Sequence, residues 1–148
     1  MADELSQPAA GEVPEGFSRM PMVGGFSDRI GTVYLRAGEH GKDVGAWITE
    51  EQCNPNGVAH GGWLMALMDH VLAGAAVSHV DQEGQLQRGG VTINASFDFV
   101  RAAVAGDWCQ SEVTLKRPTS TLCFIEARLL GPRGVIVRCN GIALYPKS

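Results

Sequence analysis

The chain has 148 residues, the length of a single domain with a substantial core, which argues against a multidomain protein. Hydrophobic residues make up 45% and charged residues 19%, a composition typical of a compact protein and not of a disordered one. Twelve basic and sixteen acidic side chains give a net charge of −4, which argues against nucleic acid or an anionic membrane as the main partner.

The pattern of residues also predicts where the protein resides. No run approaches the ~20 apolar residues of a membrane span, and the acidic start lacks the features of a signal peptide. Four cysteines, Cys53, Cys109, Cys123 and Cys139, lie far apart without a CxxC pair. We therefore expect a cytoplasmic protein with four reduced thiols and no metal or redox centre.

The first part of the chain is polar and then glycine-rich. Residues 1–16 contain two prolines and no periodicity, which predicts a flexible tail before a single domain over 17–148. Residues 17–31 are expected to form a loop or an irregular turn of helix. Strand-like runs at 32–35 and 44–49 flank a polar turn, which predicts a β-hairpin.

The central part contains one long apolar run, at 61–77, after a polar loop at 51–56. Its Leu, Met and Ala content favours a helix, and apolar residues on all sides predict that the helix is buried nearly all round. Strand-like runs follow it at 90–100, 107–115, 121–130 and 134–144. This order predicts an α+β fold in which an antiparallel sheet wraps the helix.

The face of this helix away from the sheet needs a cover that one chain does not supply. Small residues are expected there: Gly62, Ala66, Ala73 and Ala76. A second copy of the chain is the simplest cover.

Asp69 stands in the middle of the apolar helix, without a lysine or arginine one turn away. Burying an ionised carboxylate is costly, so its presence needs a reason. One reason is structural, namely hydrogen bonds accepted from another element. The other is chemical, because desolvation raises the basicity of a carboxylate and suits a general base or a nucleophile.

The predicted helix begins with His60-Gly61-Gly62. The first N–H groups of a helix have no partner within it, and glycines allow another group to approach the backbone. Together with the positive end of the helix dipole, these donors suit a carbonyl oxygen that gains negative charge. Glycine pairs also occur at helix starts for purely geometric reasons.

Distance limits how these two features can cooperate. Gly61 and Asp69 are eight residues apart, about 12 Å along one helix. A base and an oxyanion donor must both contact one small reacting group, within about 3 Å. Two antiparallel helices related by a two-fold axis bring the start of one beside the middle of the other. We therefore predict a homodimer with Gly61 of one chain beside Asp69 of the other.

The run from Asn54 to Asp69, with Asn54 six residues before His60-Gly61-Gly62 and the acid eight after Gly61, resembles the motif of hotdog-fold acyl-CoA thioesterases of the PaaI type. The resemblance extends from about Ile30 to Leu144 and implies a hotdog fold and hydrolysis of an acyl-CoA to a carboxylic acid and free CoA. It implies no metal and no cofactor, since CoA is part of the substrate. It also implies a homodimer, which could pair further into a homotetramer.

The resemblance implies a role for each motif residue. The Gly61 N–H would polarise the thioester carbonyl, and Asp69 of the opposing chain would activate water or attack directly. Asn54 would bind substrate or water, and His60 would orient the helix start. Thr92 matches a hydroxyl that holds the water or the acid. Each also has a structural interpretation: a turn for Asn54, a helix cap for His60, an ordinary strand position for Thr92.

Substrate contacts are predicted near the helix start and at strand ends. Gly62 and Met65 lie in the first turns of the helix. Exposed cations suit CoA phosphates, and the candidates are Arg101, Lys116 and Arg117, with Arg128 and Arg133 weaker. Many members of the family that the chain resembles have Gly-Lys-Thr or Gly-Arg-Thr in the turn where this chain has Thr119-Ser120-Thr121, so nucleotide recognition there would rest on the hydroxyls of Ser120 and Thr121 and on the preceding Lys116 and Arg117.

Two competing functions stay open. A hotdog hydratase or dehydratase would pair a histidine with an acid, but Asp69 and His70 point about 100° apart on one helix. A non-catalytic acyl-CoA binding protein would bind without turnover. His70 and His79 do not share a helix face with His60, which argues against a three-ligand metal site.

Overall fold

The computed structural model describes residues 3–80 and 89–146, which form one helix packed on one sheet. The elements in chain order are β1 (Ser18–Arg19), β2 (Tyr34–Gly38), β3 (Gly41–Trp47), α1 (Gly61–Val80), β4 (Val91–Phe99), β5 (Trp108–Pro118), β6 (Leu122–Gly131) and β7 (Gly134–Leu144). All strand pairs are antiparallel, and the order across the sheet is β1-β2-β3-β5-β6-β7-β4. The predicted α+β architecture, a sheet wrapped round one long helix, is confirmed.

Most predicted boundaries agree with these elements. The hairpin forms, but its turn is tighter than expected, because β3 already begins at Gly41 and Gly38 pairs with Gly41. The glycine-rich segment contains a short 3-10 helix over Gly25–Arg29. The helix extends to Val80, three residues beyond the prediction. None of the helices in the described ranges is long and apolar enough to cross a membrane.

α1 is buried on one side only. Leu64, Leu67, Met68, Val71 and Leu72 pack against the sheet and are fully or almost fully buried. Small residues allow close contact, since a Cβ on Gly141 of β7 would lie 2.7 Å from a methyl group of Leu72.

The opposite side of α1 is uncovered within one chain. Gly62 and Asp69 are exposed, and Met65 is 42% exposed. One sheet covers one face, as was expected of a single chain, and burial of the helix nearly all round by a second copy stays a prediction. Ala76 was expected on the outer face, but it is buried beside Gly90, where the chain enters β4.

Residues 3–16 form no helix or strand and lie against the start of β5. The Gln7 side chain hydrogen-bonds both the N–H and the carbonyl of Trp108, at 2.7 and 3.2 Å. The indole of Trp47 donates to the Glu12 carbonyl, and Leu5 N–H donates to the Gly131 carbonyl. The flexibility expected of this segment stays a prediction, but these bonds attach it to the sheet.

Candidate active site

The start of α1 is held by its own cap and by the preceding loop. His60 Nδ1 accepts a hydrogen bond from the Gly62 N–H at 2.9 Å, and the His60 carbonyl accepts one from Leu64 N–H at 3.0 Å. The predicted cap by His60 is thus present. Among the residues that the structure describes, the Gly61 N–H has no hydrogen-bond acceptor. It is a free donor at the positive end of a helix of twenty residues.

The Asp69 carboxylate is exposed in the chain and is oriented by one hydroxyl. Thr92 Oγ1 in β4 donates a hydrogen bond to Asp69 Oδ1 at 2.7 Å. Asp69 points to the side of α1 that the sheet leaves uncovered, so its desolvation by a second copy of the chain stays a prediction, whereas the hydrogen bond expected from another element is present. The predicted proximity of Thr92 to the acid is present.

A β-bulge in β4 is what turns Thr92 towards the helix. In the pairing of β4 with β7, Thr92 lies opposite Ala143 and Asn94 lies opposite Ile142, so Ile93 is an extra residue. Side chains alternate across a strand, and one extra residue reverses the alternation. Ala95 packs against the core, on the side of the sheet that faces α1. Thr92 is three residues before Ala95, so strict alternation would place its side chain on the opposite side of the sheet, and the bulge brings it to the same side. The sequence pattern did not reveal this bulge.

Asn54 forms a turn that closes the loop before the helix. Its Oδ1 accepts hydrogen bonds from Asn56 N–H at 2.9 Å and from Val58 N–H at 3.4 Å. The structural interpretation of Asn54 is thus present in the fold. Its side-chain amide N–H₂ has no acceptor in the described part of the chain, so a contact with substrate or water stays a prediction.

The predicted phosphate contacts fall into two separate groups. The Arg101 N–H donates a hydrogen bond to the carbonyl of Ile136, near the start of β7. Arg117 in β5 pairs with Phe124 in β6, and Phe124 pairs with Ile142 near the end of β7. Six residues of strand separate these points, about 20 Å. Ser120 and Thr121 are exposed at the Arg117 end. One phosphate group therefore cannot contact both arginines within one chain.

Lys116 lies on the inner face of the sheet, unlike Arg117. Its Nζ donates to Ser78 Oγ at 2.7 Å and lies 3.5 Å from the His40 carbonyl, near the end of α1. Partial burial lowers the pKa of this ammonium. Lys116 therefore connects the sheet to the end of the helix through its hydrogen bonds. Its predicted contact with CoA stays a prediction.

The two weaker cationic candidates are engaged in ion pairs. Arg128 bonds Glu112 and Asp3, each at 2.7 Å, and Arg133 pairs with Asp107. In each case the guanidinium already forms an ion pair with a carboxylate, which would compete with a phosphate of CoA.

The other titratable groups of the described residues indicate no second centre. Burial raises the pKa of the Cys109 thiol to about 12 and of the Cys139 thiol to about 11, so both are protonated and unreactive at neutral pH. The four cysteines are unpaired. Within the described ranges, no three His, Cys, Asp or Glu side chains cluster around a possible metal ion, and the side chain of His79 lies outside the described residues.

The comparisons with known proteins agree with this geometry. One helix in a curved antiparallel sheet defines the hotdog class of folds. The phenylacetic acid degradation protein PaaI of Thermus thermophilus, solved as a point mutant, matches 82% of this chain and 98% of its own at 17% identity, with a TM-score of 0.66. A hypothetical thioesterase from Streptococcus pneumoniae, solved with coenzyme A, matches 74% of this chain and 85% of its own at 20% identity, with a TM-score of 0.61. At these identities the likeness shows the fold.

Sequence comparison shows the family. The model of the thioesterase superfamily matches residues 56–135, more than half of the chain. A Pseudomonas aeruginosa protein that carries the name "Putative esterase" is 30% identical over 135 residues, 90% of this chain and 98% of that protein. The chain belongs to the thioesterase superfamily, and the prediction of a thioesterase is confirmed at the level of that class.

Proposed function

We propose that this protein hydrolyses an acyl-CoA thioester to a carboxylic acid and free CoA, as a homodimer with two identical sites. In each site, the Gly61 N–H of one chain binds the thioester oxygen. Asp69 of the other chain, held by its own Thr92, removes a proton from water or attacks the carbonyl carbon directly. The direct route forms a mixed anhydride between Asp69 and the acyl group as the C–S bond breaks and the CoA thiolate leaves, and water then hydrolyses the anhydride to the carboxylic acid and free Asp69. The water route forms a tetrahedral oxyanion, whose collapse breaks the C–S bond and releases the CoA thiolate, to which the proton is returned.

The observation that carries this proposal is the accessibility of the two groups. Within one chain, a carboxylate fixed by a 2.7 Å hydrogen bond is exposed in the middle of α1, and the Gly61 N–H at the start of the same helix has no acceptor among the described residues, so both groups are available to a second chain. Membership of the superfamily supports the thioester, and the coenzyme A bound in the S. pneumoniae structure supports CoA as the thiol.

Thiol release from a panel of short, medium, long-chain and aryl acyl-CoAs tests the reaction. We expect wild type to hydrolyse at least one of them, and Asp69→Asn to lose at least 100-fold in kcat, about 2.7 kcal/mol of barrier, while it still binds the substrate. Asp98→Asn is the matched control, because Asp98 in β4 is also exposed and, among the described residues, pairs with Arg138 in β7 alone. Hydration of an enoyl-CoA, or tight binding without turnover by wild type, would instead support the competing functions.

Mixing two inactive variants tests whether the sites are shared between chains. Gly61→Pro removes the N–H and places the ring Cδ on the nitrogen instead, at a helix position where proline is well tolerated. Gly61→Ala keeps the N–H, and its Cβ would make an ordinary 3.4 Å contact with Phe99, so it serves as the control. A mixture of Gly61→Pro and Asp69→Asn chains should recover about a quarter of the wild-type activity after exchange, since half of the dimers would contain one intact site. No recovery would mean that each site is built from one chain.

A further inference from the structure

We infer that Gln52 is a positioning residue for the oxyanion donor at Gly61, an inference that rests on the proposed function. Gln52 contacts neither of the groups assigned to the reaction. It acts through His60, whose carbonyl carbon shares a peptide unit with the Gly61 nitrogen.

Gln52 connects three segments of the chain through both its side chain and its backbone. Its Oε1 accepts a hydrogen bond from Thr49 N–H at 2.9 Å, just after β3. Its Nε2 donates to the Ile30 carbonyl at 3.2 Å. Its own carbonyl accepts the His60 N–H at 2.8 Å, so the residue that caps α1 is tied directly to Gln52.

The Ile30 carbonyl provides a second link to the helix. It also accepts the indole N–H of Trp63, in the first turn of α1, at 2.7 Å. Gln52 and Trp63 thus share one acceptor, and the start of the helix is held from both the cap and the first turn. The side chain of Gln52 is half-buried and fits closely, because a Cβ on Gly31 would lie 2.4 Å from its Nε2.

These bonds determine where the Gly61 N–H points. The Gly61 N–H and the His60 carbonyl belong to one trans peptide unit, so they point in opposite directions. The carbonyl points into the helix, because it accepts the hydrogen bond from the Leu64 N–H. The remaining freedom is rotation at the cap residue, whose N–H is held by the Gln52 carbonyl. An oxyanion donor must be placed before the charge develops, and a misplacement of about 1 Å costs on the order of 100-fold in rate.

The test compares Gln52→Met with Gln7→Met. Each change removes two hydrogen bonds between a glutamine side chain and backbone groups, one donated and one accepted, and Gln7 makes its pair with Trp108 of β5 and not with a segment that bonds the start of α1. We expect Gln52→Met to lower kcat by about 10- to 100-fold with KM within about twofold of wild type. Gln7→Met should keep the wild-type kcat. The Gly61 amide resonance should shift in the Gln52 variant and not in the Gln7 variant.

The outcome separates this inference from the proposed function. If wild type hydrolyses acyl-CoA and Asp69→Asn does not, but both glutamine variants keep the wild-type kcat, the role of Gln52 is refuted and the reaction stands. If wild type does not hydrolyse acyl-CoA, the proposed function itself fails. Should Gln52→Met not fold, Gln52→Glu replaces it, because it keeps the acceptor for Thr49 N–H and lacks the donor to Ile30; an unchanged kcat in that variant refutes the inference equally.

Discussion

The hydrogen bond between Thr92 and Asp69 gives the sharpest test of the candidate site. Replacement of Thr92 by valine removes the hydroxyl and keeps a β-branched side chain of nearly the same shape. Valine is favoured in strands, which offsets part of the stability lost with the hydrogen bond, so the free energy of unfolding should fall by no more than about 1.5 kcal/mol. The rates are compared at a temperature at which every variant is fully folded, so that a fall in kcat reports on the orientation of the carboxylate and not on the fold.

The size of the effect follows from the bond itself. A hydrogen bond to a charged group contributes about 1.5–3 kcal/mol, and the Oγ1–Oδ1 distance of 2.7 Å is that of a strong one. Asp69 is exposed within the chain, where water competes for the carboxylate, so we take the lower end of that range. About 1.4 kcal/mol corresponds to a tenfold fall in kcat, with KM nearly unchanged.

The assay is steady-state thiol release from the best acyl-CoA of the panel, with Thr92→Ser beside Thr92→Val. Serine keeps the hydroxyl, so it should retain kcat within about threefold of wild type, whereas valine should lose about tenfold. A Thr92→Val variant with the wild-type kcat would refute the reasoning. Equal losses in both variants would refute it as well, because they would point to packing of the methyl group and not to the hydrogen bond.

Three further predictions concern stability. His60→Ala removes the acceptor for the Gly62 N–H and should lower Tm by about 3 °C, whereas His60→Asn, which keeps a capping side chain, should lose less; calorimetry measures both. Burial lowers the pKa of His70 below its ordinary 6.5, although the charge of Asp69 opposes the shift. The contribution of neutral, buried His70 to the free energy of unfolding is therefore complete above pH 6.5 and is lost as the pH falls below that value. His70→Gln should flatten the decline of Tm between pH 7 and 5, and an unchanged slope would contradict this assignment. Gly141→Ala forces a Cβ to 2.7 Å from Leu72 and should destabilise by about 1–3 kcal/mol in chemical denaturation; a wild-type midpoint would show that the core relaxes freely.

The sequence was sufficient for the order of elements because each has a clear period and length. The helix could be predicted from the run after His60, and the last four strands from their turn residues. Burial was harder to predict. An apolar helix indicates that its whole surface needs cover, but composition does not say whether its own sheet or a second copy supplies it. Asp69 was expected to be desolvated beside a second chain, and within one chain it lies exposed on the uncovered face.

The site was predictable to the extent that it follows from spacing along one helix. His60, Gly61 and Asp69 lie on α1 or at its start, and helix geometry fixes their separation. The contact of Thr92 with Asp69 came only from the resemblance, because it depends on the extra residue Ile93 in β4. Bulges arise from pairing with another strand, and the alternation of a single strand does not show them.

The uncovered face of α1 links assembly to chemistry under the proposed function. Each chain orients its own carboxylate through Thr92 and its own N–H through the cap at His60, so both half-sites form within one fold. Because about 12 Å of helix separates Gly61 from Asp69, neither half-site can complete the reaction on one small carbonyl. A second copy that covers Met65 and its neighbours would at once bury apolar surface and remove water from the carboxylate, which strengthens it as a base. The exposure of Asp69 in one chain is therefore what a shared site requires, since a carboxylate already buried in its own core could not meet a partner's helix start.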